Sequence, residues 1–373
     1  MKGFKAGGLR RKYGLAIILS EKKTSSALML TSNKVKASPL IVSKENLEKG
    51  EIFGIVANSG NANCFTGKQG LKNAFRMCEL AAEKFKLKPE NFLVASTGII
   101  GKQLDMKEIE ALINEIKLGS SEEYWRNSAK AIMTTDTIEK LATRKIGKAE
   151  MIGIAKGAGM IAPRLKHATM LCFLATNAFI PQDKISEMLE EAVENSFNMV
   201  NIDNDTSTND MVVLLANGKV RESYNKIQKA LNEVCIELAK GIARDGEGAT
   251  KYVEVRVSGA LTKEDARKAA RAIAGSNLVK TAIFGENPNF GRIIAALGYS
   301  GAEIKPERIT LIFNDVCIVE KGKIREENLK KARETLKERE IFIHLSLNLG
   351  EETAIAFGCD MSYDYVKINA EYN

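Results

Sequence analysis

Thr169 stands where a glycine-rich, basic segment becomes an apolar run: residues 156–178 read KGAGMIAPRLKHATMLCFLATNA. A hydroxyl at the start of a buried strand, preceded by the small Ala168, is placed to attack the carbonyl before it and sever the Ala168–Thr169 bond. The cut would leave Thr169 with a free α-amine beside its own hydroxyl, one way to build an activated nucleophile. An unperturbed α-amine titrates at about 7.7–8.0, close to working pH, where a general base is most effective. Histidine would normally supply that base. The chain has only two, His167 and His344, which disfavours a serine–histidine pair and a histidine-rich metal site alike. Taken bare, an Ala-Thr pair is also an ordinary loop-to-strand junction.

Acyl chemistry further needs donors for a developing oxyanion. Ser96-Thr97-Gly98, at the end of an apolar strand, offers a hydroxyl and a glycine N–H for that purpose, although such a triplet is common in turns. Asp245-Gly246-Glu247-Gly248 presents a carboxylate on a flexible turn closing a helix. A helix C-terminus accounts for the glycines but not for a glutamate wedged between two of them. Gly157-Ala158-Gly159-Met160-Ile161-Ala162 formally matches a dinucleotide fingerprint. Pro163 and the charged run to His167 interrupt the helix that should receive a pyrophosphate. Residues 203–210, DNDTSTND, resemble a calcium loop but lack glycine at its sixth position and glutamate at its twelfth. Local side-chain-to-backbone bonding is the better account of them.

The elements that must position these residues follow from periodicity. Strands are expected at 15–19, 26–31 and 52–57, then an amphipathic helix at 69–86 with Leu71, Ala74, Phe75, Cys78 and Ala82 on one face. Strand 92–95 precedes Ser96-Thr97-Gly98, two helices lead to Thr134-Thr135-Asp136-Thr137, and strand 151–155 leads into the central stretch. Beyond Thr169 come strand 170–175, helix 183–197, strand 211–215, helix 223–243, strand 252–257, helix 262–274, strand 279–284 and helix 290–297. A strand-rich part follows from about 308. The irregular mixing favours a layered α+β architecture over a doubly wound sheet. At 373 residues, about two domains are expected. The 45% apolar and 27% charged fractions are those of a soluble globular protein, and no run approaches the ~18 apolar residues that span a bilayer. The six cysteines form no CxxC pair and sit in apolar segments, as reduced thiols of a cytoplasmic protein would. Lysines scattered among glutamates account for the net charge of +8, so nucleic acid is not an expected partner, nor is a membrane.

Ten motifs in order cover nearly the whole chain: KGFKA, NSGNANCFTG (58–67), STGIIG (96–101), TTDT (134–137), KGAGMIAP, ATML (168–171), FN…DNDTSTND, RDGEGATK, LVKTAIFGENPNFGR and CDMSYDYVKINAEY. Together they resemble the glutamate N-acetyltransferase (ornithine acetyltransferase) family of arginine biosynthesis. The resemblance implies an α/β/β/α-type sandwich with a second, smaller α/β domain. It implies self-cleavage into an α chain, 1–168, and a β chain, 169–373, in an α2β2 heterotetramer. Thr169 would be the nucleophile, Thr97 and Gly98 the oxyanion hole, and Thr134, Lys156, Thr169, Glu247 and Asn369 the substrate contacts. Acetyl would move from N-acetyl-ornithine to glutamate, with acetyl-CoA a second donor in some members; no cofactor or metal is implied. Lys156 would lower the α-amine by repulsion or bind a substrate carboxylate, and Glu247 would suit a cationic amine. Two departures stand out. Arg164-Leu165-Lys166-His167 is longer than the family's usual spacer before the cut, and the chain stops at Asn373, short of a hydroxyl residue that joins the family's substrate site. Two other classes remain: a self-cleaving N-terminal-threonine amidase or aminopeptidase, in which water resolves the acyl-enzyme, and a dinucleotide-dependent enzyme resting on GxGxxA alone.

Overall fold

The computed structural model describes residues 1–162 and 170–371. Ala168, Thr169 and the Arg164–His167 insertion therefore lie outside the described residues. Two units, described separately below, comprise residues 1–157, 170–197 and 206–238, and residues 158–162, 198–205 and 239–371.

In the first unit, β1 (Phe4–Arg10) and β2 (Gly14–Ser20) form an antiparallel hairpin. Successive side chains of a strand point to opposite faces, so a strand apolar throughout must be covered on both sides. β2 is such a strand. Ala16 and Ile18 join one buried cluster, while Leu15 and Ile17 join another. After β3 (Ser25–Leu30) and α1 (Ser38–Lys49), β4 (Gly54–Asn61) pairs with β2. The amphipathic α2 (Gly67–Phe85) then crosses over to β5 (Phe92–Ile99), which lies parallel to β4. The first sheet thus runs β1-β2-β4-β5. Helices α3 (Met106–Glu115) and α4 (Glu122–Ala131) lead to the hairpin β6 (Lys140–Ile146) and β7 (Ala149–Lys156).

β8 (Leu171–Ala178) lies antiparallel to β7, and after α5 (Gln182–Glu194) a two-residue β9 (Val200–Asn201) belongs to the second unit. β10 (Met211–Val220) returns parallel to β8 and completes the order β3-β10-β8-β7-β6. Phe173, Val213 and Ile154 of this sheet share a core with Phe4 and Ile18 of the first. The outer face of the first sheet is closed by Met77 and Ala81 of α2 and Ile109 and Leu112 of α3. α6 (Tyr224–Arg244) brings Val234 and Leu238 onto Gly153 of β7, leaving no room for a Cβ there. The result is a helix–sheet–sheet–helix sandwich, as expected.

The second unit is a seven-stranded mixed sheet. It includes β11 (Tyr252–Ala260), β12 (Thr310–Phe313), β13 (Val316–Glu320), β14 (Lys323–Ile324), β15 (Glu340–Ser346) and β16 (Glu352–Cys359), in the order β14-β13-β12-β15-β11-β16-β9. α7 (Lys263–Gly275) packs on β11 and β16. The expected strand at 279–284 is instead helix α8 (Asn277–Phe284). Ser276 caps it by accepting from Val279 N–H, and Val279, Lys280, Ala282 and Ile283 make a buried face at helical spacing. A lysine in that set breaks an apolar pattern, yet Lys280 is wholly buried and donates to the Cys359 carbonyl. α9 (Phe290–Gly298) and α10 (Leu329–Thr335) follow, and the expected strand-rich tail ends in helix α11 (Tyr363–Glu371). Among the described residues, no helix is long and apolar enough to cross a membrane.

Candidate active site

In the first unit, candidate site residues lie at the ends of β5 and β7. Lys156 is the last residue of β7, opposite Leu171 of β8, and is buried. Beside it, in the turn before β6, is Asp136, whose side chain has no exposure at all. One carboxylate oxygen of Asp136 accepts from Lys140 Nζ at 2.7 Å and from the Gly157 N–H at 2.6 Å. The other accepts from the Thr134 N–H at 3.0 Å and lies 3.8 Å from Lys156 Nζ. Burial by itself would push the Asp136 carboxyl up. The charges of Lys156 and Lys140 and the Gly157 N–H outweigh it and hold the group well below the usual carboxylate range. Asp136 is thus a fixed anion that ties together Thr134, Lys156 and the turn after β7.

Thr97 and Gly98 end β5 and are partly exposed. Gly98 adopts φ +132, and a Cβ there would fall 2.4 Å from the Gly60 carbonyl carbon. No other residue suits the position. The polar residues of Asn58-Ser59-Gly60-Asn61 brace this strand end. Asn58 donates to the Asn61 carbonyl and accepts from the Ser96 hydroxyl at 2.6 Å. Asn209 donates to the carbonyls of Ala62 and Ser96 at 2.5 and 2.8 Å. These bonds brace the backbone on either side of Thr97 and Gly98.

In the second unit, Glu247 accepts from Asn369 Nδ2 at 2.8 Å across 122 positions of sequence. Both glycines around Glu247 have tertiary reasons. Gly246 sits against Cys359 Sγ, and Gly248, at φ +68, sits against the Tyr365 backbone. Gly159 approaches the Glu247 carboxylate so closely that a Cβ would lie 2.3 Å from it, and the Glu247 N–H donates to the Ala158 carbonyl. Asp203 accepts from the N–H groups of Met160 and Ile161 at 2.6 and 2.8 Å and from Asp205 at 3.2 Å. Burial nevertheless pushes the Asp203 carboxyl up. Burial, and then the charges of Asp203, Asp205 and Glu247, push the Tyr365 phenol up as well.

These contacts dispose of two alternatives from the sequence. Asp203 takes two N–H groups of the GxGxxA segment, and no helix begins within residues 157–162. The 203–210 loop folds on its own side chains, with Asn201, Asp203 and Ser207 accepting from backbone N–H groups. Among the described residues, no group of three or more His, Cys, Asp or Glu could hold a metal ion. Of the expected substrate residues, Thr134 and Lys156 meet through Asp136, and Glu247 meets Asn369 directly. Asp136, Lys140, Gly159 and Asp203 were not among the expected functional residues. The one signal for Asp136 was a carboxylate set among three threonines.

The chain is similar to known proteins over its whole length. The ArgJ family model matches residues 1–373. A glutamate N-acetyltransferase of Methanocaldococcus jannaschii is 49% identical, covering 100% of this chain and 97% of that one. The arginine biosynthesis bifunctional protein ArgJ of Symbiobacterium thermophilum is 46% identical, covering 100% and 94%. A crystal structure of the bifunctional protein ArgJ from Bacillus halodurans is similar with a TM-score of 0.52 and 41% identity, over 54% of this chain and 98% of that chain.

Proposed function

This chain belongs to the ArgJ family and is an acetyltransferase of arginine biosynthesis, and on that premise we propose that it moves acetyl from N2-acetyl-L-ornithine to L-glutamate. Self-cleavage at Ala168–Thr169 divides the precursor into chains 1–168 and 169–373, which pair as α2β2. The Thr169 hydroxyl attacks the acetyl carbonyl while the Thr169 α-amine takes its proton. Thr97 Oγ and the Gly98 N–H stabilise the oxyanion. Collapse expels ornithine, which leaves with that proton, and acetyl-threonine remains. The amine of glutamate then attacks the same carbonyl and regenerates the hydroxyl. Lys156, beside Thr134, takes a substrate carboxylate, and Glu247, steadied by Asn369, takes a cationic amine.

The observation that carries this reading is the end-to-end 49% identity with a glutamate N-acetyltransferase.

The purified protein should run as two fragments, the larger beginning Thr-Met-Leu-Cys-Phe-Leu, and Thr169→Ala should stay a single inactive chain. Labelled N-acetyl-ornithine should leave acetyl on the 169–373 fragment, and added glutamate should discharge it. Discharge by water alone would favour the amidase reading. Acetyl-CoA in place of N-acetyl-ornithine tests the second donor. An active enzyme that stays uncut would refute the mechanism.

A further inference from the structure

Asp136, Lys140 and Lys156 are buried together at the end of β7, and the two lysines do not share the carboxylate evenly. Asp136 is filled by the Lys140 ammonium at 2.7 Å and by the N–H groups of Gly157 and Thr134 at 2.6 and 3.0 Å. Lys156 Nζ stays at 3.8 Å, attracted to the carboxylate but beyond hydrogen-bond distance. It makes no hydrogen bond to any described residue, so among these residues its N–H donors are open. Lys140 holds the nearer place on Asp136, so Lys156 is the ammonium left beyond hydrogen-bond distance of it. The side chains of Asp136, Lys140 and Lys156 are 0%, 2% and 9% exposed, so water screens these charges poorly.

We infer that Lys140 and Asp136 are positioning residues for substrate: Lys140 neutralises Asp136 so that Lys156 keeps its charge and donors for the carboxylate of an amino-acid substrate. The inference rests on Lys156 as the carboxylate partner. Stability is a weak alternative reason for the trio, since the desolvation of a buried ion pair often cancels its attraction. Register also favours a role at the site. Lys140 pairs with Ala155 across the β6–β7 hairpin, one residue from Lys156, so the neutralising cation enters beside the one it sets free.

The test compares glutamate KM and kcat for Lys140→Met, Lys140→Arg, Lys156→Met and the double variant Asp136→Asn/Lys140→Met, each checked for cleavage and melting. In Lys140→Met the unopposed Asp136 draws Lys156 in. Glutamate KM should rise ~10- to 100-fold, the scale of a lost charged hydrogen bond, while kcat moves less than about threefold. Lys140→Arg should stay near wild type. The double variant removes both competing charges and should bring KM back to within about fivefold of wild type. A merely structural trio predicts the reverse, with the double variant no better than the single. Lys140→Met with unchanged KM, or a double variant without recovery, overturns the inference. Should Lys140→Met fail to fold, the double variant decides alone: near-wild-type KM supports the inference, and a rise above about tenfold overturns it. An unchanged KM in Lys156→Met would instead remove the carboxylate reading on which the inference stands.

Discussion

Substituting Gly159 by alanine perturbs Glu247 without touching it. Gly159 is outside the positive-φ set, so its backbone accepts alanine. The new Cβ, however, would lie 2.3 Å from Glu247 Cδ, Oε1 and Oε2. Carbon contacts are comfortable from ~3.5 Å, so the carboxylate must retreat by about 1 Å. The obstacle is the far end of a half-buried, flexible side chain, and it can move at little cost to the fold. What it loses is the 2.8 Å bond from Asn369, which a retreat of that size carries beyond hydrogen-bond distance. A hydrogen bond to a charged group is worth ~1.5–3 kcal/mol, or roughly 10- to 150-fold in affinity. The KM for N-acetyl-ornithine should rise by about that factor, with kcat changed less and the melting temperature shifted by no more than a few degrees. Steady-state kinetics beside a thermal melt would decide it. An unchanged KM would mean that the position of the Glu247 carboxylate is irrelevant to the substrate. A collapse in melting temperature would assign Gly159 to the fold instead.

Gly98→Ala forces a Cβ to within 2.4 Å of the Gly60 backbone at φ +132, so an oxyanion donor moves and acetyl transfer should fall ~10²–10³-fold; a near-wild-type rate in folded protein would remove Gly98 from the oxyanion hole. Asp136→Asn should destabilise the fold by ~3–5 kcal/mol at pH 7. The Asp136 carboxyl is depressed in the folded chain, so its stabilisation is present above an unfolded value of ~4 and is lost as pH falls through the folded value. The gap between wild-type and variant melting temperatures should therefore narrow below pH ~4, and an equal gap at pH 3 and 7 would refute the assignment. His167→Ala should leave the rate of the cleaved enzyme within a few-fold of wild type, because the Thr169 amine fills the base role; a loss of ~10²-fold would make His167 the base.

The sequence alone determined the elements with clear periodicity and singled out residues whose types suit acyl chemistry. β2, α2, β5, β7 and α6 lie close to where apolar runs or helical spacing put them, because those patterns record how each element is buried. Thr97-Gly98, Lys156 and Glu247 stood out for the same local reasons: hydroxyl, glycine or charge at the end of an element. Tertiary structure decided the rest. The short, mostly apolar stretch at 279–284 is read as a strand from sequence, yet the Ser276 cap and the acceptance of the Lys280 ammonium by Cys359 make it a helix. The glycines around Glu247 looked like a helix end. Their actual reasons are Cys359 and Tyr365, more than a hundred residues away. Asp136 gave almost no local signal, because its importance lies in two lysines and a glycine N–H that reach it only once β6 and β7 have paired. A side chain's type and its neighbours in sequence record what it can donate or accept. Which partner it meets, and which partner is left free for a substrate, depends on distances that only the folded chain sets.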